Sequence, residues 1–262
     1  IENQVNRMKY LSIKEICDAA EKEGIKISEL CLRDQAEQMQ KSEEEIYAIM
    51  EKNFDVMVDA VKKGNDPDLR STSGLTGGEG NKMLQYAEKT GGGLSGMFLT
   101  KAIGRAMCVS NCNAAMGRIV ATPTAGSCGI LPGCLVSMYE DKGLPKRDIV
   151  MSIFTAGAFG MVIAQTASIA GAEGGCQAEC GSASGMAAAA LVELMGGSPA
   201  ASGDALGMAI INQMGLVCDP VAGLVEIPCV KRNVSGVMIA FSSADMALAG
   251  IDLKIPVDEC IA

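Results

Sequence analysis

Histidine and tryptophan are both absent from this 262-residue sequence. Without imidazole there is no Ser–His or Cys–His couple, and a bound metal must be held mainly by thiolate. Aromatic residues are only 3%, so the core must come from Leu, Ile, Val, Ala and 17 Met. No basic stripe accompanies the net charge of −9, which argues against a nucleic-acid partner. No CxxC pair occurs among the 11 cysteines, so the paired-ligand pattern of most structural zinc sites is missing. The cysteines are odd in number and irregularly spaced in a long chain, unlike a secreted disulfide framework. The opening IENQVNRMKYLSIKE has no apolar signal segment. Together these features lead us to expect reduced thiols in a cytoplasmic protein. Residues 149–172 carry no charge and are long enough to cross a bilayer, but the stretch includes Ser152, Thr155, Gln165, Thr166 and Ser168. We read it as a core helix, broken once, and expect no membrane span.

Strand-like alternation with β-branched residues is also scarce, so the expected fold is all-α. We expect a single multi-helix catalytic domain over 1–262, with amphipathic helices in 1–66 and a glycine-rich core in 67–262. Ser12 with Glu15 and Ser42 with Glu45 have the spacing of capping boxes, and Ser28 is read as a third helix start. The first three helices should end near Gly24, Gln40 and Gly64. Later helices are expected over 94–117, from about 127, and near 146–170, 176–195, 202–216 and 233–250. Pro123, Pro132, Pro220 and Pro228 are read as marking helix stops beside a site where glycine-rich loops converge.

Three cysteines stand in glycine- and alanine-rich or proline-broken surroundings. Cys176 lies in GAEGGCQAECGSASG, just after glycines that mark a helix start, where free N–H groups and the helix dipole favour a thiolate. Cys218 lies in GLVCDPVAG and Cys229 in EIPCVKRN, both at chain breaks. Three separated thiolates can hold a [4Fe–4S] cluster by three irons and leave the fourth open. Two other readings stand beside this one. Free cysteine is often simply a small buried apolar residue. Cys108 with Cys112 and Cys176 with Cys180, each four apart, can also form a four-thiolate zinc site in a structural module. Cys108, Cys112, Cys134 and Cys180 are read as packing, and Cys17, Cys31 and Cys260 as structural. A second feature is ATPTAGSCGILPG at 121–133, where hydroxyls and backbone N–H groups make an anion cradle suited to a carboxylate; RSTSGLTGG at 70–78 has similar chemistry. A capped turn is the plainer reading of each.

Taken together, RSTSGLTGGEG, NAAMGRIVATPTAGSCGILPG, GAEGGCQAECGSASGMAAAAL and NQMGLVCDPVAGLVEIPCVKRN resemble the α subunit of bacterial iron–sulfur-dependent L-serine dehydratase. The resemblance covers most of residues 67–250. It implies a helical catalytic domain, a [4Fe–4S] cluster on Cys176, Cys218 and Cys229, and conversion of L-serine to pyruvate and ammonia. Cysteine desulfidation, or dehydration of another hydroxy amino acid, would use the same open iron. On this resemblance we place the substrate carboxylate near Thr124, Gly126 and Ser127, with Ser73 nearby. Some members carry histidine where Gln213 stands, so the general base here is another group, and the sequence does not name it. The resemblance further implies a separate β subunit, a larger assembly, and family sequence continuing past Ala262.

Overall fold

The structure is a computed structural model, and it describes residues 9–262; the reading of the first eight residues lies outside it. Eleven α-helices and no strand are found among the described residues. The N-terminal layer is α1 (Ile13–Glu23), α2 (Ile27–Met39) and α3 (Glu43–Gly64). After a loop come α4 (Glu79–Thr90) and α5 (Gly96–Ala114), then α6 (Ile130–Glu140) and α7 (Lys146–Thr166). The chain closes with α8 (Gly171–Leu194), α9 (Pro199–Ile211), α10 (Ile227–Leu248) and α11 (Val257–Ile261).

Local chemistry sets most of these limits. Ser42 accepts the Glu45 N–H, and the Glu45 carboxylate accepts the Ser42 N–H, which completes a capping box worth about 1 kcal/mol. At α1 only half of the box forms, because Glu15 turns to the Leu11 N–H instead. Ser28 is not a cap: α2 begins at Ile27, and the Ser28 N–H is taken by the buried Glu193 carboxylate from α8. A carboxylate from another helix thus satisfies an orphan donor at the positive end of α2. Two of the four prolines act at starts rather than stops, while Pro123 and Pro220 lie in loops between helices. Pro132 and Pro228 fall in the first turns of α6 and α10, where the missing N–H costs nothing. For that reason α10 begins at Ile227, six residues before its expected start. α4 is absent from the expected helices, because glycines bracket it and only Gly80 and Ala87 are buried on it.

At the centre lies α8, packed against α6, α7, α9 and α10. Its residues Gly181–Glu193 are all buried, and Ala187–Ala190 are fully so. Apolar character on every side marks a helix enclosed on every side, and alanine lets neighbours approach closely. The uncharged stretch 149–172 is indeed broken, between α7 and α8. α7 is long and apolar enough to cross a membrane, yet Ile149, Val150, Phe154, Phe159 and Val162 are buried among α2, α3 and α8.

Candidate functional site

The site is built on a fracture in α8. Gly175 has φ 76° and ψ 176°, a conformation open essentially to glycine alone, and the helix restarts at Cys176. A Cβ at Gly175 would stand 3.0 Å from the Leu216 carbonyl oxygen and 3.7 Å from the Cys218 nitrogen. The fracture therefore presses the start of the restarted helix against the loop that carries Cys218. The Gln177 N–H donates to the Leu216 carbonyl at 2.8 Å, and the Gly215 N–H donates to Gln177 Oε1 at 2.7 Å, which fastens the same two segments.

Cys229 enters from the first turn of α10. Its carbonyl accepts from Asn233 Nδ2 at 2.8 Å. The same Nδ2 donates to the Gly126 carbonyl at 2.7 Å, while Asn233 Oδ1 accepts the Gly129 N–H at 2.8 Å. Asn233 is fully buried. One amide thus ties the Cys229 turn to the 122–129 loop.

The thiols of Cys176, Cys218 and Cys229 lie within electrostatic reach of one another. Burial pushes the Cys229 thiol up to about 11, and Cys176, Glu179 and Cys218 add to the rise while Arg232 opposes it. Cys176 is also raised by burial, but the Arg232 guanidinium offsets this with its charge and a 2.8 Å hydrogen bond to Sγ. Arg232 reaches Asp219 as well, at 2.6 Å, so one guanidinium links the two sequence neighbourhoods of Cys176 and Cys218. Cys176 is buried, Cys229 half-buried and Cys218 exposed, so the trio opens on one side. Among the described residues no three Cys, Asp or Glu side chains close around a single metal ion. A single zinc ion draws its ligands onto one atom, whereas a cube takes each thiolate on a different iron.

The other cysteines pack as expected. Cys108, Cys112, Cys134 and Cys180 are core residues, as are Cys17 and Cys31. Cys260 is also buried, but it lies closer to the trio than its sequence position implies. It lines a cleft of about 380 Å³ with Gly174 and Gln177, which flank Cys176. A larger cavity of about 750 Å³, between α3, α4 and α5, contains no cysteine.

Thr124, Gly126 and Ser127 come together, three residues ahead of α6 rather than on its first turn. Thr124 Oγ1 and Ser127 Oγ are 3.0 Å apart. Thr124 donates its hydroxyl proton to Glu179 Oε1, so within the pair Ser127 is the donor to Thr124 Oγ1, with the Thr122 carbonyl as a second acceptor at 3.5 Å. The Thr122 hydroxyl in the same loop is buried with no partner. Ser73 is held elsewhere: it donates to Glu226 Oε2 at 2.6 Å, alongside Ser71 at 2.8 Å, and no hydrogen bond joins it to the Thr124 group. Glu226 is itself buried and precedes Cys229 by three residues. Glu179, Arg232, Asn233 and Glu226 were not singled out from the sequence. A usable signal did exist for two of them: Glu179 stands three residues after Cys176, and Arg232 three after Cys229, each one helical turn away on the same face.

Residues 22–262 match the family model described as serine dehydratase alpha chain. The chain belongs to that family. Over 252 residues it is 48% identical to the Bacillus subtilis protein named "Probable L-serine dehydratase, alpha chain", covering 96% of this chain and 83% of the relative. Over 249 residues it is 45% identical to the L-serine dehydratase alpha chain of Peptoniphilus asaccharolyticus, covering 95% and 85%. A Mycobacterium tuberculosis L-serine dehydratase is 35% identical over 261 residues, which span 96% of this chain and 56% of that longer protein. Within this serine dehydratase alpha chain, the cysteine trio and the hydroxyl loop meet at the fracture of α8.

Proposed function

We propose that this chain is the cluster-bearing subunit of an L-serine dehydratase, converting L-serine to aminoacrylate and so to pyruvate and ammonia. Cys176, Cys218 and Cys229 would hold a [4Fe–4S] cluster, and Ser127, with Thr124 and Gly126, would face the substrate carboxylate. The donor set fits such a group: three soft thiols around an open side, with a guanidinium beside the buried one. When bound, the cluster supplies a Lewis acid at the iron not held by thiolate, stabilising charge as the C–O bond breaks.

The chain's own residues account for the rest of the reading. Arg232 opposes the burial that raises the Cys176 thiol and fixes its direction with a hydrogen bond. Asn233 holds the hydroxyl loop at a set distance from the Cys229 turn. The Ser127 hydroxyl, which donates to Thr124, would turn from it to meet a carboxylate, and the partnerless Thr122 hydroxyl marks unmet polar capacity in the same loop. The observation that carries the proposal is the meeting of the three thiols with this loop through Glu179 and Asn233. The relatives named alpha chains further lead us to infer a separate β polypeptide and hence an oligomeric enzyme, and the free, unpaired thiols support a cytoplasmic setting.

The test is anaerobic loading with iron and sulfide, followed by assay of pyruvate from L-serine with and without the partner polypeptide. Bound iron and sulfide near four of each per chain, visible absorbance and pyruvate formation are expected. Stoichiometric zinc without visible absorbance would end the proposal. L-Threonine and L-cysteine in the same assay define the range of leaving groups. Ser127→Ala should lower kcat/KM for serine by about 10- to 100-fold, the worth of one hydrogen bond to a charged group, with iron content unchanged. Wild-type kinetics in that variant would remove Ser127 from the site.

A further inference from the structure

We propose that Glu179 is the specificity-determining residue that receives the α-ammonium group of the substrate. This rests on the dehydratase reading above and adds to it how the site distinguishes an amino acid from a hydroxy acid.

Glu179 stands one turn beyond Cys176 on the restarted part of α8 and is only partly exposed. Its one hydrogen-bond partner is the hydroxyl of Thr124, and among the described residues no lysine or arginine forms an ion pair with it. The other carboxylates around the site are already engaged. Asp219 is paired with Arg232. Glu226 accepts two serine hydroxyls. Glu79 accepts from the Gly77 N–H and Asn111, with Lys231 at 3.9 Å. Glu226 and Glu179 both lack a cation, but Glu226 is filled by two serine hydroxyls, whereas Glu179 has one threonine hydroxyl and lies within electrostatic reach of Cys176 and Cys180 on its own helix, Cys128 beside the hydroxyl loop, and Cys229 on α10.

Two glycines keep its place. A Cβ at Gly126, in the hydroxyl loop, or at Gly171, at the start of α8, would collide with the Glu179 carboxylate. The carboxylate is thus seated between the loop assigned to the substrate carboxylate and the thiol trio. A partly buried anion of this kind favours a cation in contact with it. An α-amino acid brings one, attached to the same carbon as the carboxylate that Ser127 would meet. A 2-hydroxy acid with the same skeleton brings only a neutral hydroxyl, and the site would hold two anions with nothing between them.

Binding of two ligands that cannot be dehydrated tests this by calorimetry on the anaerobic, cluster-loaded enzyme with its partner polypeptide. L-Alanine carries the ammonium and L-lactate does not. Wild type should prefer alanine. Glu179→Gln should weaken alanine by about tenfold or more and leave lactate unchanged or tighter, which is about 1.4 kcal/mol or more at the ammonium. Glu179→Asp keeps the charge on a shorter arm and should retain part of the preference; it also serves if the Gln variant does not fold. Unchanged alanine affinity in the variant that folds overturns the proposal, even if turnover falls, because the residue would then act on chemistry rather than on the ammonium. A wild-type enzyme that forms no pyruvate and binds neither ligand would instead sink the dehydratase reading itself.

Discussion

Replacing Cys176, Cys218 or Cys229 with alanine should each remove the visible absorbance of the loaded protein, cut bound iron sharply and lower pyruvate formation by at least about a thousandfold. The size follows from what is lost. Hydroxide is a poor leaving group, and Lewis-acid stabilisation of the breaking bond is worth several kcal/mol, each 1.36 kcal/mol being tenfold in rate. Two remaining thiolates leave a cube with two uncovered irons. The controls are Cys128→Ala and Cys180→Ala. Both thiols are buried in the core, and burial drives the Cys128 thiol up to about 12. These controls should cost only packing energy and retain iron. Iron loss in the controls together with iron retention in the trio variants would move the cluster away from residues 176, 218 and 229.

Asn233→Leu should lower stability by about 3–5 kcal/mol, because it strands a buried Gly129 N–H and two carbonyls while keeping the side-chain volume. For a chain of this size that is a fall in Tm of about 6–20 °C, read by thermal unfolding of the unloaded protein. Cluster retention should fall too, since the Cys229 turn and the hydroxyl loop lose their common tether. A Tm within about 2 °C of wild type would show that the two segments hold their positions without it.

Much of the fold is legible in the sequence where a local rule has no tertiary competitor. The Ser42–Glu45 box and the ends at Gly24 and Gln40 follow from side-chain capping and left-handed C-caps. The restart of α8 at Cys176 follows from the glycines before it. The rule failed where another element intervened. Ser28 is not a cap because Glu193 supplies the acceptor from 165 residues away. Pro228 opens α10 because a proline is harmless in a first turn, a context that spacing alone does not reveal. The site divides in the same way. Cysteine chemistry and loop composition point to Cys176, Cys218, Cys229, Thr124 and Ser127. The groups that set them in place are less legible: Arg232 stands one turn from Cys229, but its contact with Cys176 spans 56 residues, and the contact of Asn233 with Gly126 spans 107, which no local pattern encodes. Ser73 shows the opposite limit: its composition suits an anion cradle, but its hydroxyl is already spent on Glu226.

The uneven exposure of the free thiols gives the protein an internal gauge of its own assembly. Cys218 is exposed and Cys229 half-exposed, while the other nine are buried. A maleimide reagent added to the native, unloaded chain should therefore alkylate Cys218 first, Cys229 more slowly and the rest hardly at all, as peptide mass spectrometry would register. Once those two sulfurs are engaged by iron, the adducts should vanish, so the extent of alkylation reads directly as the fraction of molecules still empty.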